Sequence, residues 1–279
     1  MLTRPVPADD MPDVTRSGPS EHGGDLPEHR DPDAGDRFVA LCDTFDDWTR
    51  RRLLALGVRA GWACWEVGAG GPRVPAWLAR QVGPTGRVVA TDVDVSWLPA
   101  GAPFQVCRHD VAADEPPAGT FDLVHVRLVL THVAARAEAL RRMASSLRPG
   151  GWLVVEDFDM SIQPRACPDA ATDDEDRANR VRAGFLELMV SRGVDPVLGR
   201  TLRKRLVALG LADVGAEAYS PLAVPATRAL ERANTLQVRA ELAGLGLGAD
   251  VDRHLDALAA GRIEIATPPL VTAWGRRVA

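Results

Sequence analysis

The segment ACWEVGAGG, residues 63–71, is the clearest indicator of the fold of this chain. Its opening residues predict a buried strand over residues 63–67, and the glycines that follow predict a tight turn where the backbone can approach a ligand closely. Apolar residues at helical spacing over 74–82 then predict a helix, which Gly83-Pro84 ends. A strand, a glycine-rich turn and a helix in this order are typical of one unit of a parallel α/β sheet.

The same alternation continues to about residue 157. Further buried strands are predicted over residues 87–91, 104–107, 121–126 and 152–156. We therefore predict an α/β fold, a Rossmann-like doubly wound sheet with helices on both faces. In such sheets ligands bind beyond the carboxyl ends of the strands, which is where the glycines and several acidic residues of this chain fall.

Beyond residue 157 the sequence favours helices, with two more strands expected at 213–219 and about 270–275. The helical segments at about 160–199 and 221–262 are long enough to form a lid over the carboxyl edge of the sheet. We expect the lid and the sheet to belong to one domain over residues 37–279.

The first 36 residues differ in composition from the rest. They hold nine acidic residues, three arginines and six prolines, a net charge of −6, and almost no large apolar side chains. Such a segment cannot bury enough surface to offset its ordering entropy, so we predict a disordered acidic tail over residues 1–36. The rest of the chain carries a net charge of +1, which gives no basic excess for binding nucleic acid.

The composition argues against several other classes of protein. No apolar run approaches the roughly 20 residues that cross a bilayer, and residues 1–10 lack the apolar core of a secretory signal. The four cysteines stand far apart without metal-ligand spacing. We therefore expect reduced thiols, no metal, no membrane partner and a cytoplasmic location. No feature of the sequence specifies an oligomeric state.

The spacing of the glycines limits the classes of ligand that the turn could bind. A dinucleotide fingerprint would need glycines at 68, 70 and 73, but residue 73 is arginine, and the phosphate loop GxxxxGK[ST] is absent. Three acids lie at strand ends along the same edge: Glu66, Asp92 and Asp110. They would repel a phosphate but can accept hydrogen bonds from ribose and adenine, so they favour a cationic, phosphate-free nucleoside such as S-adenosylmethionine.

Five segments in order resemble motifs of the class I S-adenosylmethionine-dependent methyltransferases, in their small-molecule branch: EVGAG (66–70), VVATD (88–92), RHD (108–110), FDLVH (121–125) and LRPGGW (147–152). The resemblance is strong over about residues 45–157 and weaker at VTAWG (271–275). It implies S-adenosylmethionine as cofactor and a seven-stranded sheet whose last strand is antiparallel.

The resemblance also implies which residues bind the cofactor: Glu66, Gly68, Ala69, Gly70, Asp92, Val93, Asp110, Val111 and Arg127. It places the glycines under the methionine part, the acid at 92 on the ribose and residues 110 and 111 around the adenine. The backbone at position 127 would contact the methionine end. One residue departs from the family pattern GxGxG, because Pro72 replaces the third glycine; proline nevertheless fits the first turn of a helix.

The catalytic residues implied by the resemblance are His132, which aligns with a position often near the methyl acceptor, and Asp157, which follows the fifth strand. Each residue also has a simpler, non-catalytic interpretation: His132 can cap the next helix, and Asp157 can be a solvated acid in a turn. The implied function is methyl transfer to a small, partly apolar organic substrate, in secondary metabolism. Two alternatives stay open: a non-methylating cyclisation or rearrangement on this fold, and a non-catalytic binding protein.

Overall fold

The structure is a computed structural model that describes residues 32–278, with side chains from residue 35 onward. Its strands are β1 (Ala63–Val67), β2 (Arg87–Asp92), β3 (Gln105–Arg108), β4 (Phe121–Arg127), β5 (Leu147–Phe158), β6 (Ala212–Tyr219) and β7 (Leu270–Arg276). They form one seven-stranded sheet in the order β3-β2-β1-β4-β5-β7-β6. The first five strands are parallel, and β7 runs antiparallel to both β5 and β6. The predicted fold class and the antiparallel last strand are confirmed.

Helices cover both faces of this sheet. They are α1 (Pro32–Ala55), α2 (Arg73–Val82), α3 (Arg136–Ser145), α4 (Asp173–Ser191), α5 (Leu198–Ala208), α6 (Pro225–Gln237), α7 (Arg239–Leu242) and α8 (Gly248–Ala259). Side chains alternate between the faces of β1: Trp65 packs in a core with α3 and α5, whereas Cys64 packs with α2 and the end of α1. The glycine turn after β1 is thereby fixed to a strand that is buried on both sides.

A second layer of helices lies beyond the carboxyl edge. Helices α4, α7 and α8 share an apolar cluster that includes Val181, Leu242 and Val251, and α6 packs along α1. Helix α4 begins with a reciprocal capping box between Thr172 and Glu175, a pairing typical of the sequence TDDE at residues 172–175. By contrast, α5 falls largely outside the predicted lid segment and packs against the sheet.

The N-terminal boundary differs from the prediction. Helix α1 begins at Pro32, about one turn before Asp36, where the acidic tail was expected to end. Proline is favourable in the first turn of a helix because its missing N–H has no partner there, and acids suit the positive end of the helix dipole. Residues 32–36 therefore belong to α1, and the remainder of the predicted tail lies outside the described residues.

Two further boundaries bear on the site. Strand β5 continues to Phe158 because β7 pairs with it as far as Leu270, so Asp157 lies inside the strand. After β4 a short 3-10 helix over Leu130–His132 precedes α3, so His132 lies in a separate turn and not in the helix itself.

Candidate functional site

The glycine turn after β1 is tightly packed. Gly68 and Gly70 both have φ of +61°, a left-handed conformation that glycine adopts without strain. A Cβ added to Gly68 would collide with Val129, and one added to Gly70 would lie 2.5 Å from the ring of Phe38. Both positions therefore require glycine, for backbone conformation and for space. Phe38, near the start of α1, and Val129, just after β4, flank the turn.

Pro72 occupies the position immediately before α2. Its φ of −81° is helical, and its carbonyl accepts the Ala76 N–H at 2.9 Å. The pyrrolidine thus stands where no intrahelical N–H is needed. The expectation that proline is compatible with this turn is met by the geometry.

Acidic side chains lie beyond β2 and β3 at the same edge. The Asp92 carboxylate accepts the Gly70 N–H at 2.8 Å and the Asp94 N–H at 3.1 Å. Asp110 is exposed, and one of its carboxylate oxygens accepts the Ala112 N–H at 2.8 Å. Both acids therefore shape their own turns and keep acceptor capacity for a ligand, since each carboxylate oxygen has two lone pairs.

Two apolar residues beside these acids differ in burial. Val93 is 52% exposed, whereas Val111 is buried in the core that contains β1 and β4. An exposed valine at the end of β2 is available to pack against a ligand. Among the predicted cofactor residues, the glycine turn, Asp92, Val93 and Asp110 meet at one edge of the sheet.

Glu66 lies apart from that edge in a buried polar network. Its carboxylate contacts His125 Nδ1 at 2.7 Å, and Glu156 contacts the other ring nitrogen at 3.3 Å. Burial opposes protonation of His125, but the charge of Glu66 and hydrogen bonds to both carboxylates outweigh it and raise its pKa to about 9. The side chain of Glu66 is therefore committed to His125, and contact with a cofactor stays a prediction.

Arg127 at the end of β4 joins the sheet to α1. Its guanidinium donates to Asp46 at 2.9 Å and to Thr49 at 3.1 Å. The side chain is thus held within the protein, consistent with a ligand contact through the backbone. The next residue, Leu128, has φ of +58°, a strained conformation for a branched side chain. Such strain, about 1–3 kcal/mol, is found mainly at functional sites.

A pocket lies between the sheet edge and the lid. It holds about 710 Å³ of space, part of it open to solvent. Its exposed walls are largely apolar, although eight of its seventeen lining residues are polar or charged; it is lined by Arg37, Leu128, Thr131, His132, Phe158, Met160, Arg182, Phe185, Leu186, Met189, Val194, Thr227, Leu230, Glu231, Asn234, Thr267 and Pro268. Such a lining suits an organic molecule with an apolar body and some polar groups.

The pocket adjoins the glycine turn through two short segments. Phe38 packs over Gly70, and its neighbour Arg37 lines the pocket. Val129 packs over Gly68, and its neighbour Leu128 also lines the pocket. A ligand on the turn and a ligand in the pocket would therefore share the walls formed by the start of α1 and the segment after β4.

His132 lines the pocket and is exposed to solvent. Partial desolvation of the imidazole by the surrounding protein, together with the charges of Arg37 and Arg136, lowers its pKa to about 4. The imidazole is therefore neutral at pH 7 and can accept a proton. Its placement on the 3-10 turn beside Leu128 brings it to the same edge as the glycine turn.

Asp157 is buried behind that turn and is not among the pocket-lining residues. Its carboxylate accepts the backbone N–H groups of Thr131, at 3.0 Å, and Phe158, at 2.9 Å. Burial outweighs these hydrogen bonds and raises its pKa to about 7. The observed contacts give Asp157 a structural task, holding the turn that carries His132, and direct participation in catalysis stays a prediction.

Several lining residues were not singled out from the sequence. Arg182 and Glu231 form a buried ion pair between α4 and α6, with Nη2 and Oε2 2.5 Å apart. The sequence of α4 contained an indication of this buried charge, because Arg182 follows Val181 on a helix face that is otherwise apolar. Arg37 carried no such signal, because its place in the pocket depends on how α1 packs along α6. Asn234, a polar residue on α6, also lines the pocket.

Within residues 32–278 no group of three or more histidine, cysteine or acidic side chains is arranged to hold a metal ion. The four cysteines, all in that range, are free thiols. In the same part of the chain no helix has both the length and the apolar character needed to cross a membrane.

Comparisons with known proteins agree with this geometry. Residues 44–214 match a protein family described as a methyltransferase domain. The chain is 34% identical to methyltransferase str3 of Strobilurus tenacellus over 145 residues, which cover 50% of this chain and 48% of that protein. It is 31% identical over 127 residues to the ubiquinone/menaquinone biosynthesis C-methyltransferase UbiE of Hahella chejuensis. This match covers 42% of this chain and 51% of that protein. The matches thus span about half the length of these curated relatives.

Among solved structures, a protein from Bacillus halodurans C-125, described as a methyltransferase, shares the fold. It superposes with a TM-score of 0.51 at 13% sequence identity and covers 82% of this chain and 98% of its own. The matched family region contains the glycine turn, the acidic strand ends and His132. The chain therefore belongs to the methyltransferase domain family, within the class I S-adenosylmethionine-dependent methyltransferases.

Proposed function

We propose that this protein transfers the methyl group of S-adenosylmethionine to a small, partly apolar organic substrate held in the lid pocket. The observation that carries this proposal is that Arg37 and Leu128, which line the pocket, are chain neighbours of Phe38 and Val129, which pack against the glycine turn, so that the start of α1 and the segment after β4 form a junction between the two. A donor on the turn and an acceptor in the pocket would meet at that junction.

The residues at the sheet edge fit the cofactor. Gly68 and Gly70 let the backbone of the turn adopt a left-handed conformation in close contact with Val129 and Phe38. Asp92 and Asp110 offer carboxylates to hydroxyl and amino groups, and their charges would disfavour a phosphate. S-adenosylmethionine bound here supplies an electrophilic methyl group on a sulfonium, and the same acids suit its positive charge.

The protein's own task is alignment and exclusion of water. Methyl transfer is an in-line displacement, so holding the acceptor at the correct distance and angle accounts for much of the rate. The apolar pocket walls, such as Phe158 and Phe185, keep water from the acceptor. The backbone at the junction is left-handed at Leu128, with φ of +58°.

A proton leaves the acceptor when that atom is a hydroxyl or an amine. In this proposal His132 takes that proton, because its imidazole is neutral at pH 7 and lines the pocket. Asp157 acts as a positioning residue by holding the Thr131 N–H and hence the turn that carries His132. The proposal places the reaction in cytoplasmic secondary metabolism.

The experiment has two readouts on the full chain. Calorimetry with S-adenosylhomocysteine tests the cofactor site, and Asp92→Ala should weaken that binding. Incubation of an extract of organic acids and phenols with methyl-labelled S-adenosylmethionine, followed by mass spectrometry, tests transfer. A labelled product with wild-type protein but not with Asp92→Ala supports the proposal. Cofactor binding with conversion of the extract but no labelled product would overturn it in favour of a non-methylating reaction.

A further inference from the structure

The charged residues that line the pocket differ in whether another side chain neutralises them. Arg182 and Glu231 neutralise each other: Nε donates to Oε1 at 3.2 Å and Nη2 donates to Oε2 at 2.5 Å. Despite its burial, Glu231 has a pKa lowered to about 2, chiefly by the charge of Arg182. This pair therefore adds no net charge to the pocket, and a ligand gains little by competing for either member.

Arg37 has no such partner among residues 35–278, whose side chains the structure describes. Its one hydrogen bond there runs from Nε to Asn234 Oδ1, at 2.8 Å, and no carboxylate of that range lies within ion-pair distance. Burial lowers the pKa of Arg37, but a guanidinium stays protonated at neutral pH. The pocket thus has a positive charge that its described lining does not compensate.

The free part of the guanidinium has a definite shape. Asn234 takes the Nε–H, which leaves the two terminal nitrogens without an acceptor in the described part of the chain. Those two nitrogens form the planar fork that binds a carboxylate through two parallel hydrogen bonds. A second unpartnered group lies in the same lining, since Thr267 Oγ1 is buried without a hydrogen-bond partner. Burying Thr267 Oγ1 unpaired is unfavourable, and a ligand oxygen would relieve that cost, while the terminal nitrogens of the half-buried Arg37 are open to the same ligand.

We propose that the pocket binds an organic carboxylate, a molecule with an apolar body and one carboxylate group that pairs with Arg37. This inference rests on the proposed methyltransferase function, because it names the class of substrate for the same site. The apolar walls accept the body, Arg37 anchors the charged end, and Thr267 is available for one further oxygen. A neutral compound of the same shape could accept a hydrogen bond from Arg37 but would not compensate its charge, and a cationic one would be repelled.

Calorimetry on the full chain saturated with S-adenosylhomocysteine tests this proposal. The probes are three carboxylates of increasing size, benzoate, 1-naphthoate and decanoate, each compared with its uncharged amide. We expect at least one carboxylate to bind about tenfold or more tightly than its amide, the effect of a charge-assisted hydrogen bond. Equal binding within every pair, or no binding by any of the three carboxylates, would overturn the proposal.

Variants assign the preference to Arg37. Arg37→Met should abolish the preference for the carboxylate and leave the amide unaffected, and Arg37→Lys should restore part of it. Arg37→Gln, which keeps a polar group for Asn234, serves the same purpose should Arg37→Met not fold. The matched control is Arg203→Met, an exposed arginine on α5 outside the pocket lining. A preference that survives in Arg37→Met and Arg37→Gln would contradict the assignment.

Failure of this inference and failure of the proposed function give different results. A protein that does not bind S-adenosylhomocysteine fails the proposed function, whatever the carboxylates do. A protein that binds S-adenosylhomocysteine and transfers methyl groups, but does not distinguish carboxylates from amides, fails this inference alone.

Discussion

The Asp92 carboxylate accepts the Gly70 N–H at 2.8 Å, so the end of β2 fixes the glycine turn at the end of β1. The two strands are neighbours in the sheet, with Val67 paired to Thr91. One side chain thereby joins the two structural parts of the predicted cofactor site. We expect a substitution at position 92 to act on the turn as well as on the ligand.

Asp92→Ala should weaken binding of S-adenosylhomocysteine by about 1.5–3 kcal/mol, the value of a hydrogen bond to a charged group. Calorimetry measures the change. The matched control is Asp252→Ala, an exposed acid on α8, whose loss should leave the affinity unchanged. Equal affinities in wild type and Asp92→Ala would remove the assignment.

Much of the fold and of the cofactor half of the site follows from local sequence. Glycines with positive φ, an acid at the end of β2 and the burial of β1 are each determined within a few residues. The lid pocket is different, because it depends on contacts such as the ion pair between Arg182 and Glu231, which are 49 residues apart in the chain and lie on different helices. Arg37 reaches the pocket only through the packing of α1 along α6. No short-range pattern encodes such contacts.

Pro72→Gly tests the departure from the family pattern. The proline backbone is already helical, so glycine should leave cofactor affinity equal or tighter and lower the free energy of unfolding by about 0.4–1 kcal/mol, through a looser unfolded chain. Calorimetry and urea unfolding give the two values. Pro84→Gly, in the exposed turn after α2, is the control for the unfolded-state effect. Loss of cofactor binding in Pro72→Gly would contradict this account.

The network of Glu66, His125 and Glu156 predicts a pH dependence of stability. The pKa of His125 is raised to about 9 in the folded protein, above its ordinary value of about 6.5. Its contribution is therefore fully present below pH 6.5 and is lost as the pH rises through 9. The free energy of unfolding should fall across this window by up to about 3 kcal/mol.

Urea unfolding between pH 7.5 and 9.5 measures that fall. His125→Gln should remove it, and Asp157→Asn should keep it. The reason is that the stability contributed by protonated Asp157, whose pKa is raised to about 7, is lost mainly between about pH 4 and 7, and the group is largely ionised over most of the measured range. A wild-type stability that does not change from pH 7.5 to 9.5 would show that His125 is not held as an imidazolium.

Removal of residues 1–31 should leave the melting temperature within about 3 °C of the full chain, because their composition offers almost nothing to bury. Removal of residues 1–38 should lower it further. That deletion takes away Phe38, whose ring is tilted against that of Trp97 with centroids 6.0 Å apart and packs over Gly70. Calorimetric melting of the two shortened chains makes the comparison. A large fall on removing residues 1–31 alone would show that the acidic segment packs on the domain.

His132→Ala should lower the methyl-transfer rate by about 10²–10⁴-fold, the range for loss of a general base, with little change in cofactor affinity. His132→Gln is the matched variant, because it keeps a hydrogen-bonding side chain but cannot serve as the base. Since its pKa is about 4, the wild-type rate should be independent of this group from pH 6 to 8. Stopped assays with labelled S-adenosylmethionine over that range give the profile.

The charge of Arg37 supplies an independent check on the same residue. It lowers the pKa of His132, so Arg37→Met should move the acidic limb of the pH–rate profile to higher pH, towards the ordinary histidine value. A residue that only caps a turn would not transmit that shift to the rate. A rate loss below about tenfold in His132→Ala, or an acceptor bound farther than about 6 Å from the imidazole, would leave catalysis to alignment alone.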